Sequence, residues 1–129
     1  MSLLAARVAR LKASPLGLPI GSQTYPHRTR IRCGDFTGLL RDMKAIGIEV
    51  LELCDPGYPE FASLADGKAA RQILDDHGMK ALSAHFQMNA LRADLQKQID
   101  WALELDMTQM STASLTGRIV NGVARAAQA

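Results

Sequence analysis

The sequence predicts an α/β fold with a parallel sheet, and three observations carry that expectation. Four apolar segments of strand character, Leu18–Thr24, Ile48–Leu53, Met79–His85 and Met107–Thr112, begin about 30 residues apart, the length of one βα unit. The stretches between them place apolar residues at helical spacing. Gly47, Gly78 and Asp106 then stand just ahead of the next strand, where a helix stop residue belongs.

Each element follows from local chemistry. On the first strand, Gln23 lies near the C-terminal end, followed by Tyr25 and His27. The basic stretch His27–Arg32 comes next and reads as a solvated loop, with anion contact as the competing role at the end of a parallel strand. Asp35 is a good N-cap for a first helix, whose apolar face is Phe36, Leu39, Leu40, Met43 and Ile46. The second strand, with Ile48, Val50, Leu51 and Leu53, is apolar on both faces, as in a buried parallel sheet.

Asp55–Pro59 reads as a turn-rich loop. A second helix is expected from Ser63 or Asp66 to His77, with Leu64, Ala69, Ala70, Ile73 and Leu74 buried. A third is expected from Asn89 to Asp106, with Leu91, Leu95, Ile99, Ala102 and Leu103 as its apolar stripe and Trp101 packed sideways. Beyond Thr112, 113–118 reads as a loop and Asn121–Gly122 as a turn. Residues 1–15 form an N-terminal extension, either a short amphipathic helix on Leu3, Leu4, Val8 and Leu11 or the remnant of a leader, and 16–129 form the domain.

Composition narrows the function classes. The chain has 129 residues, 47% of them hydrophobic and 22% charged, which suits one globular domain. A net charge of +2, with no basic run flanked by stacking aromatics, argues against nucleic acid as a partner. No stretch reaches the roughly 18 apolar residues of a membrane span. The expected compartment is the cytoplasm, with a secreted parent if the N-terminus is a shortened leader. Cys33 and Cys54 have no metal-ligand spacing and are expected as free thiols.

Two residues stand out for chemistry. Alternation puts Glu52 on one face with Ile48 and Val50, and His85 on one face with Ala81 and Ser83, while Leu82 and Ala84 face the helices. Both sit at the C-terminal ends of strands, where parallel α/β architectures build their sites. An acid on an apolar strand needs a partner, a metal or a polar cavity, because burying it unpaired is costly. His85 suits a substrate contact or a general acid/base. Gln23, Tyr25 and His27 could each hydrogen-bond a polyol. Tyr58 could cover a ligand, and His77 suits a helix C-terminus. No Gly-rich phosphate motif, Ser-His-Asp arrangement or His-Glu-x-x-His motif is present.

Taken in order, these segments resemble a known family. Leu18–Arg28 resembles the opening strand and loop of sugar phosphate isomerases/epimerases with the xylose isomerase-like barrel. Ile46–Leu53 resembles that family's second strand with its terminal Glu, and Gly78–His85 its third strand, which commonly ends in His. Ile99–Leu105 and the strand after it resemble the approach to the fourth. The resemblance spans about residues 16 to 115.

It implies the N-terminal half, about four βα units, of a (βα)8 TIM barrel. It also implies a divalent metal (Mn, Mg, Zn or Co) that polarises a carbonyl while a carboxylate moves the neighbouring proton in a small sugar or polyol. The family's metal ligands and acid/base carboxylates lie on strands after the fourth, so none carries over to this chain. Glu52 and His85 carry over as substrate contacts, and Gln23, Tyr25 and His27 with them. The chain alone is then expected to be truncated, inactive and metal-free. Two other readings compete. One is a non-enzymatic half-barrel that homodimerises through open strand edges. The other is an open flavodoxin-like domain with helices on both sheet faces and a switch-point site.

Overall fold

A computed structural model describes residues 16–112, together with the backbone of 119–120 and 123–124. The expectations for residues 1–15, the 113–118 loop and the Asn121–Gly122 turn fall outside the described residues.

Four strands form one parallel sheet: β1 (Gly21–Gln23), β2 (Val50–Cys54), β3 (Lys80–His85) and β4 (Gln109–Ser111). Their spatial order is β1-β2-β3-β4, the order of the chain. Parallel crossovers are almost always right-handed, so an order without reversal carries every connection over the same face of the sheet. The flavodoxin-like reading requires a reversal in strand order, and the four strands have none. Two further short strands, β5 (Ile119–Val120) and β6 (Val123–Ala124), pair antiparallel with each other.

The helices are α1 (Arg28–Arg32), α2 (Phe36–Ala45), α3 (Gly67–Asp76), α4 (Met88–Ala93) and α5 (Leu95–Glu104). Gly47 at φ +93° and Gly78 at φ +61° take the left-handed conformation that ends α2 and α3, and Asp106 does the same after α5 at φ +58°. Asp66 caps α3 by accepting from the Ala69 N–H at 2.9 Å. Asp35 precedes α2 as expected, but its carboxylate makes no capping bond there. It pairs with Arg30, which also reaches Asp42 at 2.6 Å, so one guanidinium ties α1 to α2. That pair holds the Asp35 carboxyl below its usual range.

Three regions differ from the sequence reading. The stretch after β1 is not a plain loop. Tyr25–His27 forms a 3-10 turn with Pro26 near its start, and Arg28–Arg32 continues it as α1, anchored by fully buried Ile31. Pro59–Leu64 is likewise a 3-10 turn, held by buried Phe61 and Leu64. The expected third helix is broken at Asp94, where an extended backbone (φ −159°, ψ 83°) lets the carboxylate cap α5 through the Lys97 N–H at 3.0 Å. The break rotates the helix after it. Trp101, Ala102 and Leu105 are buried, whereas Leu95 and Leu103 of the expected stripe are exposed. Trp101 donates its indole N–H to the Leu64 carbonyl at 2.9 Å and meets Phe86 edge to face.

The apolar core lies between the helices and one face of the sheet. Leu51 and Leu53 of β2 join Leu39, Leu40 and Met43 of α2 and Leu74 of α3 in it. Between Leu51 and Glu52 the register with β3 slips by one residue: Leu51 pairs with Ala81, but Glu52 pairs with Ser83. Leu82 is therefore the extra residue of a β-bulge and is 40% exposed, while Ala81 takes the helix-facing place beside Ala84. Simple alternation assigned those two the other way round.

Candidate functional site

The bulge decides what the other face carries. By restarting the register at Glu52↔Ser83, it brings Ser83 and His85 onto the face of Glu52, and β1 adds Gln23 as the partner of Glu52. The sequence places these residues one per strand, and the parallel register collects them at one end of the sheet.

Their contacts are continuous. His85 Nε2 lies 3.3 Å from Glu52 Oε1, and Ser83 Oγ donates to Glu52 Oε2 at 2.9 Å. Gln23 Nε2 lies 3.4 Å from His85 Nδ1 and 3.7 Å from Cys54 Sγ. Gln23 Oε1 accepts the Tyr25 backbone N–H. Both side chains of the Glu52–His85 pair are about 30% exposed (30% and 29%), so the pair is screened from bulk water yet reachable. Glu52 thus has the partner that its position on an apolar strand requires. That partner is a histidine and a serine rather than an arginine.

Of the other expected site residues, Tyr25 is 42% exposed and stands at the mouth of this face. The Arg28 guanidinium sits 4.5 Å from its ring centroid, and Tyr58 meets it edge to face at 6.3 Å. Burial and the nearby Asp55 carboxylate push the Tyr58 hydroxyl up. His27 is exposed at the end of the 3-10 turn, and no hydrogen bond or ion pair joins its ring to the cluster. His77 takes its expected structural place at the end of α3, its Nδ1 donating to the Ile73 carbonyl at 2.8 Å.

Two residues that sequence reasoning did not single out support the rim. Asp55 is fully buried and accepts two backbone N–H groups, from Gly57 and from Gln87, each at 2.7 Å. It clasps the loop after β2 to the loop after β3. The signal for it was its place directly after a strand and before Pro-Gly, where an Asp side chain bonds the backbone two residues on. Cys54 is buried beside Gln23, and burial pushes its thiol up to about 11, so it is a neutral, inert group here. Cys33 is exposed, and both cysteines are free.

Among the described residues no three His, Cys, Asp or Glu side chains converge on a point that would hold a metal ion. Glu52 and His85 face each other, and two such side chains fall short of the three or more protein ligands of a divalent metal site. No helix among the described residues is long and apolar enough to cross a membrane. A separate cleft of about 570 Å³ lies between the loop after β2 and helices α4 and α5, with Trp101 in its wall. None of Gln23, Glu52, Ser83 or His85 lines it, and two of its polar walls are already paired, Asp94 as a helix cap and Asp100 with Gln96.

Comparison of the chain with protein-family models, with curated proteins and with solved structures finds no match in any of the three. Function must therefore be read from the site.

Proposed function

We propose that these βα units are the substrate-side part of a sugar or polyol isomerase/epimerase of the (βα)8 type, in which Glu52 and His85 hold substrate hydroxyls. One observation carries this reading: a partly exposed acid–imidazole pair, supported by Gln23 and Ser83, stands at the C-terminal ends of strands that follow one another without reversal. A carboxylate that already accepts from an imidazole and a hydroxyl is suited to take further hydroxyl donors, and sugars and polyols are rich in these. Tyr25 at the mouth offers an apolar ring face of the kind that packs on a sugar ring. Proton transfer next to a carbonyl belongs to the full barrel, and no step of it is assigned to Glu52 or His85.

Titration of the purified chain with a ketose, an aldose and an inositol, followed by amide chemical shifts, tests the reading. Binding in the millimolar range should move the Gln23, Glu52 and His85 amides, and Glu52→Gln should weaken it about tenfold. Unmoved shifts at 100 mM ligand, or equal binding by the variant, would sink it.

A second reading has its own support. β1 and β4 each have only one neighbour among the described strands, and Met110 on β4 is 38% exposed. Pairing of two copies through these edges would make a homodimer, and the mass in solution by light scattering decides it.

A further inference from the structure

We infer that Gln23 is a positioning residue that locks His85 as the neutral Nε2–H tautomer, with its one donor aimed at Glu52. The chain of donors starts at the backbone. The Tyr25 N–H can only donate, so the side-chain atom that receives it must be the Gln23 oxygen, which fixes the amide's orientation. The Gln23 nitrogen then faces His85 Nδ1 at 3.4 Å and Cys54 Sγ at 3.7 Å, and its two hydrogens have two protein acceptors. A nitrogen that accepts from an amide carries no proton. The imidazole proton therefore sits on Nε2, 3.3 Å from Glu52 Oε1. Ser83 completes the order by donating to Oε2.

A proton on Nδ1 would point at the Gln23 amide nitrogen, which can only donate. Among the described residues, Glu52 is the one ion-pair partner of the ring. Cys54 from β2 is a neutral thiol, and Ser111 from β4 turns its hydroxyl to the Ala84 carbonyl at 3.2 Å. Asp55, next along β2, has both carboxylate oxygens engaged by backbone N–H groups. Both amide hydrogens of Gln23 are engaged as well, which assigns it to holding His85 rather than to touching a ligand. Glu52 is left as an acceptor only, so a ligand must bring hydroxyl donors to it. This last consequence rests on the proposed function, whereas the tautomer lock does not.

Long-range 1H–15N spectra of the imidazole in the unmodified chain test the lock directly. Near neutral pH, His85 should show an unprotonated Nδ1 and a protonated Nε2. Gln23→Leu should bring in the Nδ1–H form at several times its wild-type share. Gln23→Glu puts an acceptor opposite Nδ1 and should bring a proton onto that nitrogen. A wild-type spectrum with Nδ1–H dominant overturns the inference, and no variant is needed to see it. So does a Gln23→Leu spectrum identical to the wild type, with amide spectra showing that the variant is folded. If the tautomer is locked but no polyol binds, the proposed function fails and this inference stands. If polyols bind with Nδ1 protonated, the reverse holds.

Discussion

The two faces of the sheet solve burial in opposite ways. On the helix side, Leu51, Leu53, Ala81 and Ala84 are all but inaccessible and belong to one apolar cluster. On the other side, Gln23, Glu52, Ser83 and His85 satisfy one another and stay partly open to water. The helix side gains stability in proportion to the area it hides. The polar side gains less, because each hydrogen bond replaces one to water and nets only about 1 kcal/mol. A fold gains little by building such a face for stability alone, which is why it is the place to look for function.

The contrast predicts a large loss for a cavity on the dry face. Leu53→Ala, at a fully buried position, should cost about 3 kcal/mol of unfolding free energy in urea titrations. A loss below about 1 kcal/mol would mean that the helices pack loosely on β2.

A smaller effect separates the faces by pH. Burial raises the Cys54 thiol to about 11, so the folded state keeps a proton that the unfolded chain releases near the ordinary thiol pKa. The unfolded state then binds fewer protons, and stability falls as pH rises through this window. The contribution is complete below about pH 8 and is lost on the way to pH 11, amounting to about 2 kcal/mol. The Cys54→Ala variant should lack that part of the alkaline slope. A thiol reagent at pH 8 should label exposed Cys33 within minutes and Cys54 only on unfolding.

On the polar face, Glu52→Gln should cost no more than about 1 kcal/mol, since the pair is a third exposed and solvent screens it. Stability near that of the wild type, with polyol binding weakened about tenfold, would separate the purposes of the two faces. A loss of 3 kcal/mol would make Glu52 a structural anchor instead.

Much of this was legible in the sequence for physical reasons that can be named. The four strands and their helix stops follow from hydrophobic period and backbone chirality, which act over a few residues, and they appear where the pattern put them. Glu52 and His85 stood out because an ionisable group at the end of an apolar strand is locally anomalous. The β-bulge at Leu82 was not legible, since it depends on how β3 pairs with β2, and nothing in Ala81-Leu82-Ser83 encodes a skipped residue. Gln23 as the partner of His85, 62 residues away, is a product of register, as is the Asp55 clasp on Gln87. The break at Asp94 is not legible either, because the apolar spacing of Leu91 and Leu95 runs straight across the capping residue.

That break also supplies the smallest effect and the one that sharpens the comparison most. Leu95 and Leu103 occupy one side of α5, four residues apart twice over, with Ile99 half-buried between them, and they are exposed at 53% and 63%. The dry side of the sheet thus ends in an apolar surface on its outermost helix. If that surface faces water, Leu103→Ser removes no contact and should change stability by less than about 0.5 kcal/mol. A loss of about 2 kcal/mol that grows with protein concentration would mean that a second copy covers α5 in solution, since only burial of Leu103 could make its removal costly. Urea midpoints at two concentrations a hundredfold apart distinguish these outcomes. They also tell whether the dry layer stops at α5 or continues into a neighbour.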